Sequence, residues 1–244
     1  MEEFHSKLKR YDKKFEYSYT FGAYPTLDLL RKKVDVVFEV YIKEGSQSSD
    51  GVEEVVRLCK EGNIPCEVND RLIEKIAYKE NTYVVGVFKK YECELSKDSN
   101  HIVLVNPSNT GNLGTIIRTM LGFGFKDLAI IKPGVDIFEP KVVRSSMGSL
   151  FHINFRYFNS IQEYMDMYGK RNIYPFMLDG AKNISEVEFK EPFSFIQGNE
   201  GSGLPSEFKN LGQSIYIPHS KDIDSLNLSI ATSIGMWEYQ RREK

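Results

Sequence analysis

The segment from Asn106 to Arg118 (NPSNTGNLGTIIR) combines residue types that could bind and activate a ligand. It leads from an apolar run through a glycine-containing turn into a helix, where Gly111 and Gly114 allow close approach of the main chain. Asn112 and Arg118 lie six residues apart, so both could face one pocket near the helix start. An ordinary strand-to-helix loop with a surface arginine explains the same spacing, because the segment is neither a P-loop nor GxGxxG.

A second glycine-rich segment, Ile196 to Leu204 (IQGNEGSGL), also follows directly on an apolar run. Its glycines leave main-chain amides exposed for a ligand, and the Glu200 carboxylate could hold an arginine guanidinium in a fixed fork geometry. A tight connection between two secondary-structure elements, without any bound ligand, would have the same composition. A bound nucleotide is a third interpretation of this loop.

The third segment runs from Tyr216 to Asn227 (YIPHSKDIDSLN) and joins a short apolar run to a long helix. Ser225 and Asn227 stand at the opening of that helix, and a helix cap is an equally good explanation of Ser225. The helix itself, Leu228 to Arg241, carries an apolar stripe through Ile230, Ile234 and Trp237. Such a stripe is typical of a core face or a dimer face.

Two alternating series of helices and strands must position these segments. The first is a small α/β unit with helices predicted at 26–32, 50–61 and 70–79 and strands at 34–42, 64–68 and 83–88. A polar stretch, Glu94 to Asn100, then serves as a linker. In the second series we predict strands at 102–105, 128–131, 153–157, 173–178, 193–196 and 215–217. Apolar strands separated by helices indicate a parallel sheet that binds ligands at the carboxyl ends of its strands.

The composition is that of an ordinary protein of two modest domains. The 244 residues exceed one average domain, and the formal net charge of -2 gives no general sign of nucleic-acid binding. Lysine and arginine cluster at residues 7–14 and 31–33. These clusters are either a basic face that binds a partner or ordinary solvated surface. The charged N-terminal residues lack the features of a secretion signal, so we expect a cytoplasmic protein.

Cysteine and histidine give no sign of a disulfide framework or a metal centre. Cys59, Cys66 and Cys93 form no CxxC pair, and the four histidines lie far apart without metal-ligand spacing. We therefore expect no metal in this protein.

Taken together and in order, the three segments resemble the three sequence motifs of the SpoU (TrmH-like) branch of the SPOUT methyltransferases. NPSNTGNLGTIIRT is similar to the first motif, FIQGNEGSGL to the second and IPHSKDIDSLNLSIAT to the third. KVVRSSMG, residues 141–148, is similar to a further family segment. Residues from about Tyr17 to Tyr91 resemble the L30e-like substrate-binding domain that often precedes the catalytic one. The resemblance therefore implies an L30e-like RNA substrate-binding domain at 1–96 and a SpoU-type methyltransferase domain at 101–244.

The resemblance also implies a fold and an assembly. The fold class is α/β, with a parallel sheet and a deep trefoil knot in the C-terminal SPOUT domain and a small L30e-like α/β domain ahead of it. The periodicity of the sequence does not indicate the knot, which the general rules of chain connection make rare. The implied partner is a second copy of the chain, in a homodimer that forms through the C-terminal domain. Its active site lies at or near the subunit contact, and the last helix, Leu226 to Arg241, takes part.

By the same resemblance, the reaction is methylation of an RNA ribose 2'-hydroxyl with S-adenosyl-L-methionine as cofactor. The catalytic candidates that it implies are Asn112, Arg118, Glu200, Ser225 and Asn227. The residues implied to wrap the cofactor are Leu178, Asp179, Gly180, Gln197, Gly198, Asn199, Gly201, Ile217, Pro218 and Leu226. The expected contacts to RNA phosphates come from Arg144 and Lys221.

The implied mechanism is an in-line attack of the ribose 2'-oxygen on the sulfonium methyl group, with Glu200 and Ser225 fixing the geometry. Arg118 is either the base or a hydrogen-bond donor that makes the hydroxyl more acidic. The second role is easier to defend, because a guanidinium is almost never deprotonated in proteins. One departure concerns His219 and Lys221, which stand where the family often has methionine and glycine. The RNA target is therefore predicted less sharply than the cofactor.

Two other classes of protein stay open on the sequence. A noncatalytic dimeric RNA-binding protein would use only the N-terminal unit and would not need the five catalytic candidates. A nucleotide-binding oxidoreductase would need GxGxxG after its first strand, and the sequence lacks it. Among methyltransferases, the separate N-terminal domain favours ribosomal RNA as the target, with transfer RNA as the alternative.

Overall fold

The computed structural model describes residues 8–78, 81–179 and 181–242. It separates into two compact units, Met1–Tyr91 with Asp136–His152 and Glu92–Val135 with Ile153–Lys244. The division between Tyr91 and Glu92 falls just before the polar stretch predicted as the linker. The segment 136–152 belongs to the first unit, although the sequence assigns it to the second domain.

The elements alternate largely as the sequence predicts as far as the strand Asn172–Pro175. In chain order they are β1 (Tyr17–Phe21), α1 (Ala23–Lys32), β2 (Val37–Ile42), α2 (Asp50–Glu61), β3 (Cys66–Val68), α3 (Asp70–Ile76), β4 (Val84–Lys89), β5 (His101–Val105), α4 (Thr110–Gly122), β6 (Asp127–Ile131), α5 (Pro140–Ser145), β7 (Asn154–Phe158), α6 (Ile161–Tyr168), β8 (Asn172–Pro175), β9 (Lys182–Asn183), β10 (Phe193–Gln197), β11 (Ile215–Tyr216) and α7 (Leu228–Arg242). Short 3-10 turns lie at Val34–Val36, Ser149–His152, Ile184–Glu186 and Ser206–Asn210. Loops and 3-10 turns join β8, β9, β10 and β11 without the predicted helices. No helix in the described ranges is long and apolar enough to cross a membrane.

The first unit is built on a mixed sheet with the strand order β1-β4-β2-β3. Strands β1 and β2 run antiparallel to β4, and β3 runs parallel to β2. The sequence pattern does not predict β1, because its inward-facing positions include hydroxyl side chains. Ser18 and Thr20 are nevertheless fully buried, and each has a hydrogen-bond partner. Ser18 Oγ donates to the Phe138 carbonyl at 2.5 Å, and Thr20 Oγ1 lies 2.7 Å from Thr26 Oγ1.

The segment 136–152 packs onto the first unit through α5 and the 3-10 turn that follows it. Phe138 meets Phe88 edge-on with ring centroids 5.8 Å apart, and Asp136 pairs with Lys90 at 3.1 Å. Gly148 has φ 86°, and a Cβ atom there would lie 2.3 Å from Asp28 Oδ2. Only glycine fits this close approach to α1 without strain.

The second unit holds a five-stranded sheet in the order β7-β6-β5-β10-β8, and every neighbouring pair is parallel. The parallel sheet predicted from the sequence is therefore confirmed. Strands β9 and β11 form a separate two-stranded parallel pair.

The strand order reverses between β5 and β10. From β5 the chain moves outward to β6 and β7 and then crosses to β8 on the other side, and β10 fills the space between. Because the strands are parallel, the loops that follow β5, β8 and β10 leave from the same edge of the sheet. Ligands of open α/β sheets bind at such a reversal, outside the carboxyl ends of the strands.

Candidate active site

Glu200, in the loop after β10, fixes the start of α4. Its carboxylate accepts hydrogen bonds from Ser108 N at 3.1 Å, Ser108 Oγ at 2.8 Å and Asn109 N at 3.1 Å. Asn112 Nδ2 donates to the same carboxylate at 3.2 Å. Partial burial would raise the pKa of Glu200, but these hydrogen bonds outweigh it and lower the pKa below its ordinary value. Glu200 is therefore a charged acceptor whose lone pairs are largely used.

A chain of side-chain amides extends this network to α7. Asn227 Nδ2 donates to Asn112 Oδ1 at 3.2 Å, and Asn112 in turn donates to Glu200. Asn227 Oδ1 accepts from Ser229 N at 2.9 Å and from Ser229 Oγ at 2.7 Å, so its orientation is fixed. Three of the five catalytic candidates thus meet in one network. The cap of α7 is Asn227, and the alternative explanation of Ser225 as that cap is wrong.

The loop after β10 is turned tightly back on itself. Asn199 Oδ1 accepts from Gly201 N at 2.9 Å, and Asn199 Nδ2 donates to the Asn106 carbonyl at 2.8 Å. A Cβ atom on Gly198 would lie 2.2 Å from the carbonyl carbon of Gly203 and 2.4 Å from Leu204 N. Both are main-chain atoms that cannot move aside separately. The loop therefore requires glycine at position 198.

A cleft of about 540 Å³ opens beside this network, between the loops that follow β8, β10 and β11. The predicted cofactor residues that line it are Leu178, Asp179, Gln197, Gly198, Asn199, Gly201, Ile217 and Leu226. Pro218 does not line it, and Gly180 lies outside the described residues. Ser225 and Glu200 also line the cleft, so it adjoins the catalytic candidates.

The sequence analysis did not predict several further lining residues, among them Phe176, Met177, Leu204, Tyr216, His219 and Asp224. His219 and Asp224 lie within the third predicted segment, Leu204 and Tyr216 lie at segment ends, and Phe176 and Met177 belong to the predicted strand 173–178. A broader search around each predicted strand end would have found them, whereas residue type alone would not.

The charge of the cleft is negative. Asp179, Glu200 and Asp224 contribute carboxylates, and the described residues that line it include no lysine or arginine. Lys209 pairs with Asp179 from outside the cleft at 3.6 Å. Such a surface attracts cations and repels phosphates. It therefore disfavours a bound nucleotide at the glycine-rich loop, and with it the hypothesis of a nucleotide-binding oxidoreductase.

The structure does not bring Arg118 to the network within one chain. Arg118 is exposed on α4, and no described residue hydrogen-bonds or pairs with its guanidinium. Six helical positions correspond to about 240° around the axis and about 9 Å along it. The prediction that Asn112 and Arg118 face one pocket is therefore wrong for a single chain. Glu200 likewise contacts no arginine among the described residues, so the predicted fork is not formed.

The two predicted RNA contacts lie in different units. Lys221 is exposed in the loop between β11 and α7, and Arg144 is exposed on α5 of the first unit. Among the described residues, no three histidine, cysteine, aspartate or glutamate side chains cluster as metal ligands would.

Comparison with known proteins decides the family. Residues 99–237, more than half of the chain, match the model of the SpoU rRNA Methylase family. The chain belongs to the SpoU rRNA methylase family. Every loop of the candidate site lies within the matched residues.

Individual SpoU-type relatives act on different RNAs. The chain is 30% identical to the 23S rRNA (uridine(2479)-2'-O)-methyltransferase of Streptomyces viridochromogenes, over 58% of this chain and 52% of that protein. It is 28% identical to a putative tRNA (cytidine(34)-2'-O)-methyltransferase of Listeria innocua, over 59% and 88%. The chain spans about half the length of several curated relatives that it matches.

The structural likeness extends beyond the SpoU-family match. An AdoMet-bound rRNA methyltransferase from Sinorhizobium meliloti superposes with a TM-score of 0.77 at 25% identity, covering 93% of this chain and 88% of that chain. The likeness therefore takes in most of the first unit as well as the second.

Proposed function

We propose that this chain methylates a ribose 2'-hydroxyl in structured RNA, with S-adenosyl-L-methionine as methyl donor and ribosomal RNA as the favoured target. The observation that carries the proposal is the Glu200–Asn112–Asn227 network beside an acidic cleft, in a chain of the SpoU family. Transfer RNA is the alternative target, because relatives of both kinds exist.

The residues of the cleft fit this cofactor. A volume of about 540 Å³ lies within the range of small-molecule sites, which is roughly 300–1,000 Å³. The sulfonium and ammonium charges of S-adenosylmethionine suit the carboxylates, and Leu178, Ile217 and Leu226 offer apolar surface to adenine. Gln197 is only 2% exposed, and its Nε2 has no hydrogen-bond partner among the described residues. A bound acceptor would offset the cost of about 1–3 kcal/mol for such an unpaired group.

When bound, the cofactor supplies an electrophilic methyl group. The chain itself has to hold the acceptor ribose and accommodate the loss of its hydroxyl proton. Ser225 lies at the edge of the cleft, where its hydroxyl can orient the ribose, and Glu200 holds the neighbouring amides in place. Because the pKa of Glu200 is lowered and its lone pairs are used, Glu200 is a poor base. We infer that the hydroxyl proton passes to solvent water, and that Arg118 stabilises the developing negative charge on the 2'-oxygen.

Replacing Gly198 by alanine tests the cofactor cleft. The new Cβ atom would overlap main-chain atoms of Gly203 and Leu204, so the loop has to open. We expect the Kd for S-adenosylmethionine to rise about 10- to 100-fold, with about 1–3 kcal/mol of stability lost. Calorimetry and thermal unfolding measure the two effects. Gly122→Ala is the matched control, because nothing lies within 4 Å of the position that its Cβ atom would take and Gly122 does not line the cleft. Wild-type affinity in Gly198→Ala would show that this loop does not shape the cofactor site.

The position of Arg118 supports the proposal of a homodimer. Because Arg118 lies away from the network of its own chain, we infer that a second copy brings its Arg118 to the cleft. On α7 the side chains of Ile230 and Trp237 are 51% and 50% exposed. Trp237 also lines an open groove of about 570 Å³ with Phe123 and Arg241. An exposed apolar face beside the helix that carries Arg118 suits an interface with a second copy.

Replacing Trp237 by glutamate tests the dimer. A charge at the centre of an interface is unfavourable, and loss of a buried tryptophan typically costs about 2 kcal/mol or more, which is about 30-fold in Kd. Sedimentation velocity should show a monomer that still binds S-adenosylmethionine and transfers no methyl group. Met167→Glu is the control for an exposed apolar residue, since Met167 is 37% exposed and belongs to a different helix, α6. A Trp237→Glu protein that dimerises as wild type would contradict this interface.

The first unit is proposed to be the L30e-like domain that binds RNA. Lys9, Arg10, Lys13 and Lys14 are exposed along its N-terminal segment. Lys90 Nζ donates to the Lys13 carbonyl at 3.0 Å, so this basic segment is held against the end of β4. Such a face can contact phosphates without reading sequence. Arg144 is exposed on α5 of the same unit and is proposed as a further phosphate contact. A cytoplasmic location stays a prediction.

The deep knot is also proposed for the second unit. Its supports are the family and the path of the chain, in which β11 runs beside β9 and α7 then packs against α4 and β10. The chain thus leaves the five-stranded sheet to form β11, and its last helix then packs back against β10 within that sheet.

A further inference from the structure

His219 is fixed in the cleft by its own backbone. The imidazole lines the cleft and is partly buried, and its Nδ1 lies 2.7 Å from the Ile217 carbonyl oxygen. A carbonyl can only accept a hydrogen bond, so Nδ1 carries the proton of the neutral ring. The other nitrogen, Nε2, is then an acceptor. No described residue donates a hydrogen bond to it.

The neighbouring acceptors suggest which group of a ligand donates a hydrogen bond to Nε2. The lining carboxylates of Asp179 and Asp224 form charge-assisted hydrogen bonds with a cation, which are about twice as strong as neutral ones. A charged ammonium group therefore prefers the carboxylates. The Nε2 acceptor is left for a neutral donor, such as an amino group on a base or a sugar hydroxyl.

We propose that His219 Nε2 accepts a hydrogen bond from the adenosyl part of the bound cofactor, from its adenine amino group or a ribose hydroxyl. This inference rests on the proposed cofactor. The family often has methionine at this position, and a methionine sulfur is only a weak acceptor. The inference therefore gives His219 a role in cofactor recognition that methionine would not perform.

Two substitutions separate this role from a structural one. His219→Asn keeps a donor near Nδ1 for the Ile217 carbonyl and removes the acceptor at Nε2. His219→Gln reaches further and places an amide oxygen close to the Nε2 position. Ser220→Ala is the control, because Ser220 belongs to the same loop and does not line the cleft.

The measurement is calorimetric titration of each full-length protein with S-adenosylmethionine, S-adenosylhomocysteine and 5'-methylthioadenosine. The last ligand shares the adenosyl part and lacks the amino-acid part. We expect His219→Asn to raise the Kd for all three about 3- to 10-fold, as for one lost neutral hydrogen bond, and His219→Gln and Ser220→Ala to stay within about 2-fold of wild type.

Other outcomes overturn the inference. Wild-type affinity of His219→Asn for all three ligands would mean that Nε2 does not touch the cofactor. A loss confined to the two ligands with the amino-acid part would place the contact at that part and not at the adenosyl part. Equal losses in His219→Asn and His219→Gln would mean that the ring only shapes the loop. Failure of the wild-type protein to bind S-adenosylmethionine would instead contradict the proposed function itself.

Discussion

Arg118→Ala is expected to lower the rate of methyl transfer about 100- to 1,000-fold, as the loss of one preorganised donor at a developing oxyanion does. The Kd for S-adenosylmethionine should change less than about 3-fold, because Arg118 does not line the cleft of its own chain and its proposed contact in the other chain is with the ribose hydroxyl. Single-turnover transfer and calorimetry measure the two quantities.

Arg118→Lys is the sharper variant for the same prediction. Lysine keeps the charge but loses the planar fork of donors, so we expect it to remain nearly as slow as alanine. Rapid transfer by Arg118→Lys would show that a positive charge suffices, and the assigned hydrogen-bonding role of the guanidinium would be wrong.

Mixed dimers test whether Arg118 acts on the cleft of the other chain. In a dimer of one Arg118→Ala chain and one Glu200→Gln chain, a shared site leaves one cleft with both wild-type residues. A random mixture should then recover about a quarter of the wild-type rate, since half of the dimers are mixed and each has one intact site. If Arg118 served its own cleft, neither site would be intact, and mixing would recover nothing.

Glu200→Gln should lower the transfer rate about 100-fold, the size of effect that follows from small misplacement of reacting groups. A glutamine side chain has one acceptor oxygen and an NH₂ group that cannot accept. It therefore cannot receive the hydrogen bonds from Ser108, Asn109 and Asn112 together. We expect the free energy of unfolding to fall by about 1–3 kcal/mol, because charge-assisted hydrogen bonds are lost.

The effect of Glu200→Gln has to be separated from a general effect of charge. Glu207→Gln removes an exposed carboxylate from the 3-10 turn Ser206–Asn210 and should retain the wild-type rate. If Glu200→Gln transferred methyl groups at the wild-type rate despite lower stability, the network would be structural and would not position the reaction.

Much of the second unit could be predicted from the sequence because its strands are strongly apolar. Predicted strands 128–131 and 193–196 differ from β6 and β10 by one residue at an end. Strand β1 could not be predicted in this way, since Ser18 and Thr20 look like exposed residues. Their burial depends on hydrogen bonds to Phe138 and Thr26, and Phe138 lies 120 residues away from Ser18.

The candidate site could be predicted only in part. The resemblance of the three segments to the SpoU motifs implied that Asn112, Glu200 and Asn227 share one site, and the structure joins them by hydrogen bonds. The prediction that Asn112 and Arg118 face one pocket is wrong for a single chain, and the helical rotation of about 240° between them is the reason. The role of His219 depends on a loop that folds its ring back onto Ile217, and residue type does not indicate such a turn.

The most direct measurement is transfer of labelled methyl groups from S-adenosylmethionine to undermethylated total RNA, followed by nuclease digestion and mass spectrometry of the nucleosides. We predict a 2'-O-methylated nucleoside that disappears when Arg118→Ala replaces the wild-type protein. The identity of that nucleoside and of its RNA would also decide between ribosomal and transfer RNA. No transfer to any RNA, together with no binding of S-adenosylmethionine by calorimetry, would contradict the proposed methyltransferase function and favour a noncatalytic RNA-binding protein.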